Sequence, residues 1–158
     1  MNIITKFFKL ITGAVAIEAR AVVMEERDKD GCTALHIAAM EGDHGAVSDL
    51  LSNGADPNAQ NGNGYTPLHK GAGEGHAEVV KLLLAAGAYI EAKTYSERNT
   101  PLHAGAQNGH AEVVRVLLEA GVNSESRANN GFTPLQIAKK AKKFPLIVEM
   151  LEAAARRT

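Results

Sequence analysis

Six histidines and one cysteine are the residues of this 158-residue chain best able to do acid–base, nucleophilic or metal chemistry. His36, His69 and His103 close the phrases TALH, TPLH and TPLH, spaced 33 and 34 residues apart. His76 and His110 each follow a glycine, and His44 alone is off the pattern. A general base needs a nucleophile and an orienting acid within hydrogen-bond reach. Histidines that recur once per structural unit form a ladder with rungs about 10 Å apart, too wide to share a metal ion or a proton. Cys32 has no second cysteine with which to form a disulfide or a cysteine-built zinc site, and it accords with a reducing compartment. An enzymatic reading would need a site at His44 or Cys32, so no catalytic residue, metal site or cofactor is expected.

Two further stretches resemble ligand loops only in part. Gly71-Ala72-Gly73-Glu74-Gly75 has the glycines of a phosphate loop but neither a preceding strand nor a Lys-Ser/Thr ending. It falls inside a helical segment, where Gly71 and Gly105 suit close packing at about 1 kcal/mol of helix propensity each. MEERDKDG offers Asp28 and Asp30 before Gly31, but lacks the later ligands of a calcium loop.

The elements that would position these residues follow from a repeat. Thr33, Thr66, Thr100 and Thr133 lie 33, 34 and 33 residues apart, and Gly42, Gly75 and Gly109 keep the same spacing. A fixed period of this length signals a solenoid of stacked units, each too small to bury its own apolar face. Threonine is a good helix N-cap, and Pro67, Pro101 and Pro134 suit the first helical position. A short inner helix such as Pro67–Glu74 then ends at a glycine fit for a left-handed turn. A second helix, Ala77–Ala85, places Val80, Leu83 and Leu84 at helical spacing, and Gly87 ends it before a polar loop. The fold class is therefore all-α. The first unit has Ala34 in place of proline and GDH in place of GH, which reads as a one-residue offset. The fourth loses its inner-turn glycine to Lys142.

Net charge is −1, so the chain as a whole is not an electrostatic nucleic-acid binder. Charge is nonetheless uneven. Residues 25–60 carry eight acids and two bases, whereas residues 128–158 carry six bases and two acids. The basic tail, Lys139, Lys140, Lys142, Lys143, Arg156 and Arg157, reads as the polar outer face of a terminal unit.

The phrases TALHIAA, TPLHKGA, TPLHAGA and TPLQIAK, followed by GHAEVVKLLL, GHAEVVRVLL, NGADPNA and AGAYIEA, resemble the ankyrin repeat family. The resemblance covers residues 28 to about 155 as four units, 28–60, 61–93, 94–127 and 128–158. It implies an ankyrin-repeat solenoid of helix-turn-helix units with hairpin-like finger loops, in which the TPLH histidine ties neighbouring loops to inner helices. It also implies a non-enzymatic scaffold that holds a partner protein in a concave groove. From charge and run length no nucleic acid and no membrane span are expected, and a cytoplasmic monomer is the expectation carried forward. A stability scaffold with no partner of its own, and an exported bacterial protein, are the alternatives.

Residues 1–27 lie outside the repeat. Ile3, Ile4, Phe7, Phe8, Ile11 and Val15 fall at helical spacing. Three readings fit: a capping helix over the first unit, a secretory signal ending at Ala19-Arg20-Ala21, and a membrane-surface anchor. The capping helix is the expectation carried forward.

By the family's pattern the fingers are Asp28–Cys32, Asn61–Tyr65, Thr94–Asn99 and Asn129–Phe132. The groove-facing inner-helix positions are Met40 and Glu41, Lys70 and Glu74, Gln107 and Asn108, and Ile137 and Lys140. Three of the chain's seven aromatic residues, Tyr65, Tyr95 and Phe132, occur in successive fingers, where they and Arg98 are expected to anchor a partner. Glu41, Glu74 and Lys140 are expected to select charge. The third finger carries a one-residue insertion and places Arg98 where the others have Gly31, Gly64 and Gly131, which implies a different turn.

Overall fold

The computed structural model describes Met24 and residues 26–157, so the N-terminal capping helix expected over residues 1–27 lies almost wholly outside the described part. Eight helices are present among the described residues: α1 (Ala34–Glu41), α2 (His44–Ser52), α3 (Pro67–Glu74), α4 (Ala77–Ala85), α5 (Pro101–Asn108), α6 (Ala111–Glu119), α7 (Pro134–Ala141) and α8 (Pro145–Ala155). The odd-numbered helices stack side by side as an inner layer and the even-numbered helices as an outer layer. The expected all-α solenoid is what forms.

Each inner helix is eight residues long because both of its ends are set chemically. The Thr66, Thr100 and Thr133 hydroxyls accept the backbone N–H of the residue three positions on. At the other end Gly42, Gly75 and Gly109 adopt φ of 74°, 87° and 86°, a left-handed turn that is cheap for glycine. These glycines are also obligatory for the stacking. A Cβ on Gly42 would fall 2.6 Å from the His76 ring, one on Gly75 would fall 2.5 Å from the His110 ring, and one on Gly109 would collide with Phe144.

The one-residue offset expected in the first unit is not there. Asp43 occupies the position that His76 and His110 hold, just ahead of the outer helix, and caps α2 by accepting the Ala46 N–H at 2.9 Å. Two letters precede that helix in each unit, and only the second differs, Asp in place of His.

The core is a column of small and branched residues between the layers. Leu35, Leu68 and Leu102 from the inner helices meet Val47, Leu83, Leu117 and Leu151 from the outer ones, all at most 1% exposed. Gly71 lies inside α3, as expected, and lets that helix approach α4 closely; a Cβ there would stand 3.1 Å from Val79.

Candidate partner-binding groove

Two ladders hold the open face of the inner layer in place. In the first, the backbone N–H groups of Thr33, Thr66 and Thr100 donate to Nδ1 of His36, His69 and His103 at 3.1, 3.2 and 3.2 Å. With Nδ1 accepting, the ring proton resides on Nε2. That proton is donated to the carbonyl of Tyr65, Asn99 or Phe132, the last residue of the next finger, at 2.9, 2.9 and 3.1 Å. Burial pushes all three rings below the ordinary histidine value, His69 to about 4. Both nitrogens of each ring are thus committed, and none is left to bind a metal ion or move a proton.

The second ladder is backbone to backbone across the fingers. Gly62 N–H donates to the Asp30 carbonyl at 3.0 Å, Tyr95 N–H to Asn63 at 3.0 Å, and Asn129 N–H to Glu97 at 2.8 Å. Within each finger a further bond closes the turn, as from Asn61 N–H to the Tyr65 carbonyl at 2.9 Å. His76 and His110 join inner turns in the same spirit, donating to the Met40 and Gly73 carbonyls at 3.1 and 2.9 Å.

On this frame lie three depressions that share residues and so form one trough. The first, between fingers one and two, is lined by Asp28, Asp30, Met40, Asn63, Tyr65 and Lys70. The second is lined by Tyr65, Lys70, Glu74, Asn99, Gln107 and Asn108. The third includes Glu97, Gln107, Phe132, Ile137 and Lys140. Nine of the twelve sequence-predicted residues are therefore brought together: Met40, Tyr65, Lys70, Glu74, Gln107, Asn108, Phe132, Ile137 and Lys140. Two aromatic rings already carry a cation. Lys70 Nζ stands 5.0 Å from the Tyr65 ring centre and Lys140 Nζ 5.3 Å from that of Phe132.

Glu41, Tyr95 and Arg98 do not line these depressions. The Tyr95 ring lies against Gly64, where a Cβ would meet it at 2.7 Å, and its hydroxyl donates to Gln60 at 3.2 Å. It braces finger two from finger three. Arg98 keeps the backbone region of the glycines it replaces. Its φ of 54° lies in the same left-handed region as Gly31, Gly64 and Gly131, at 79°, 81° and 80°. The inserted residue widens the turn as expected: Thr94 N–H donates to the Asn99 carbonyl five positions on, where the other fingers close over four. Sequence reasoning did not single out Glu97 or the lysine–aromatic pairs. An aromatic directly before the capping threonine, with a lysine one or two turns into the helix, is the signal that would have found the pairs.

A model of ankyrin repeats matches this chain over residues 7–94 and 91–155. The chain belongs to the ankyrin-repeat family. Alpha-latrotoxin-Lg1a of Latrodectus geometricus is 37% identical over 136 residues, covering 84% of this chain and 9% of the toxin. The 26S proteasome non-ATPase regulatory subunit 10 of Dictyostelium discoideum is 37% identical over 84 residues, 52% of this chain and 36% of the subunit. Palmitoyltransferase AKR1 of Lachancea kluyveri is 42% identical over 72 residues, 46% of this chain and 10% of the enzyme. This ankyrin-repeat chain spans less than half the length of each of these relatives. Among its described residues no helix is long and apolar enough to cross a membrane.

Proposed function

We propose that this ankyrin-repeat chain is a non-enzymatic protein-interaction scaffold that holds a partner protein in the concave trough. The observation that carries this reading is the trough itself: aromatic, amide and charged side chains face outward along a backbone fixed by two hydrogen-bond ladders. A surface held in advance loses little entropy when a partner docks on it. A relative named as a regulatory subunit accords with binding, and the relative named as an acyltransferase matches over a tenth of its length. Commitment of the buried histidines to the ladder favours recognition over catalysis.

The test compares the wild type with a trough variant, Tyr65→Ala/Lys70→Ala/Phe132→Ala, and an outer-loop control, Tyr89→Ala, in affinity capture followed by binding to the purified partner. Circular dichroism melts establish that all three are folded. A partner kept by the wild type and by Tyr89→Ala but lost by the trough variant is expected. A partner that the trough variant keeps would sink the proposal.

A further inference from the structure

The third depression differs from the other two in size and in walls. Its volume is about 590 Å³, against about 350 and 370 Å³. Finger three is one residue longer than the first two, and Asn99 stands directly before the capping threonine, where Tyr65 and Phe132 stand in the neighbouring units. An amide therefore replaces a ring on that wall. The floor is apolar and half-buried, made by Phe132 and Ile137. The opposite wall is Lys140, an exposed residue whose ammonium lies over the Phe132 ring.

The charges around this space are unevenly committed. Lys139 is paired with Glu152 at 2.7 Å, whereas Lys140 forms no ion pair among the described residues. Glu97, the one acid on the rim, is held on its own finger by the Asn99 amide at 2.6 Å. Lys142 and Lys143 follow in the exposed turn after α7 and add positive potential at this end. Gln107, exposed between the second and third depressions, has an amide able to both donate to and accept from a peptide backbone.

Resting on the trough reading above, we propose that this depression seats an extended acidic segment of the partner. One large apolar side chain of that segment packs on Phe132 and Ile137, a neighbouring carboxylate pairs with Lys140, and Gln107 holds the main chain between them. Apolar floor, single cation and open end fit that combination. A basic segment would set its charge against Lys140, Lys142 and Lys143.

The test is selection of random dodecapeptides displayed on phage against the full chain, followed by fluorescence anisotropy of the enriched peptides. Enriched sequences are expected to carry Asp or Glu within a few residues of Leu, Ile, Met or Phe. Their affinity should fall about tenfold or more on Lys140→Glu and on Phe132→Ala, and should weaken in high salt. Lys140→Glu alters a solvent-facing residue, so it decides the matter even if Phe132→Ala compromises the fold. Enrichment of basic or uncharged peptides, undiminished binding to Lys140→Glu, or no enrichment at all would overturn the assignment. If capture of the whole partner still depends on Tyr65, Lys70 and Phe132 in that event, this seat fails while the trough reading stands.

Discussion

In the second unit Thr66, Pro67 and Leu68 start an eight-residue helix that ends on Gly75; in the fourth, Thr133, Pro134 and Leu135 start one of equal length that ends on Lys142. His69 accepts the Thr66 N–H and donates onward to the third finger, whereas Gln136 accepts the Thr133 N–H at 3.0 Å and has no finger beyond it among the described residues. Gly75 carries the His110 ring of the next unit, and Lys142 holds the same left-handed conformation at φ 55° with a side chain of its own. The shared letters serve the helix that contains them. The letters that differ, His against Gln and Gly against Lys, serve the neighbour.

Four measurements can break or sharpen that division. The largest effect is expected at Gly75→Ala, where left-handed strain and collision with His110 together cost about 3 kcal/mol in urea denaturation. Gly54 has a similar φ of 93° but nothing within 4 Å of the would-be Cβ, so Gly54→Ala should cost only about 1 kcal/mol. Equal losses at the two sites would show that the ring contact does not matter.

The next effect concerns protons. Burial lowers the folded value of His69, so the unfolded chain binds the proton more readily and stability rises with pH. The contribution is complete above the ordinary value of 6.5 and is lost as pH falls through the interval down to about 4. At most this amounts to about 3 kcal/mol for this one ring. His69→Gln should lose about 1 kcal/mol at neutral pH through the missing bond to Asn99. It should also show a shallower fall of melting temperature on acidification. An unchanged slope would mean that the ring is not held neutral by the fold.

A smaller gain is expected from Lys142→Gly, about 1 kcal/mol from relief of the left-handed strain, measured by the same denaturation. Arg98→Gly should behave alike, because it occupies the same conformation in the third finger. The smallest change belongs to the outer face, where Arg115 pairs with Glu112 and Glu119 in the open. Arg115→Ala should leave the denaturation midpoint unmoved, and a clear shift would show that the stack leans on its outer charges.

Much of this architecture was legible because each helix is delimited locally. The threonine cap, the proline behind it and the closing glycine specify α3, α5 and their partners without reference to the rest of the chain. The trough positions followed from the resemblance to the ankyrin pattern, and nine of the twelve named residues line it. What local reading missed depends on neighbouring units. Tyr95 sits in a finger as expected, but its ring turns onto Gly64 of the preceding finger because that glycine leaves the space. Arg98 breaks the glycine pattern yet keeps the left-handed φ while the finger closes one residue wider, and the bond from Asn129 N–H to the Glu97 carbonyl ties its backbone to the next finger.

By itself the sequence determined the period, the helix ends and the histidine in three of the four capping phrases, since those depend on hydrogen bonds a few residues long. The tertiary structure alone decided where each Nε2 proton is spent, that the Tyr95 ring lies on Gly64, and that the third depression is larger than the other two. Those outcomes rest on contacts between residues about one repeat apart or on opposite walls of the trough, and stacking, not local propensity, sets the distances between them.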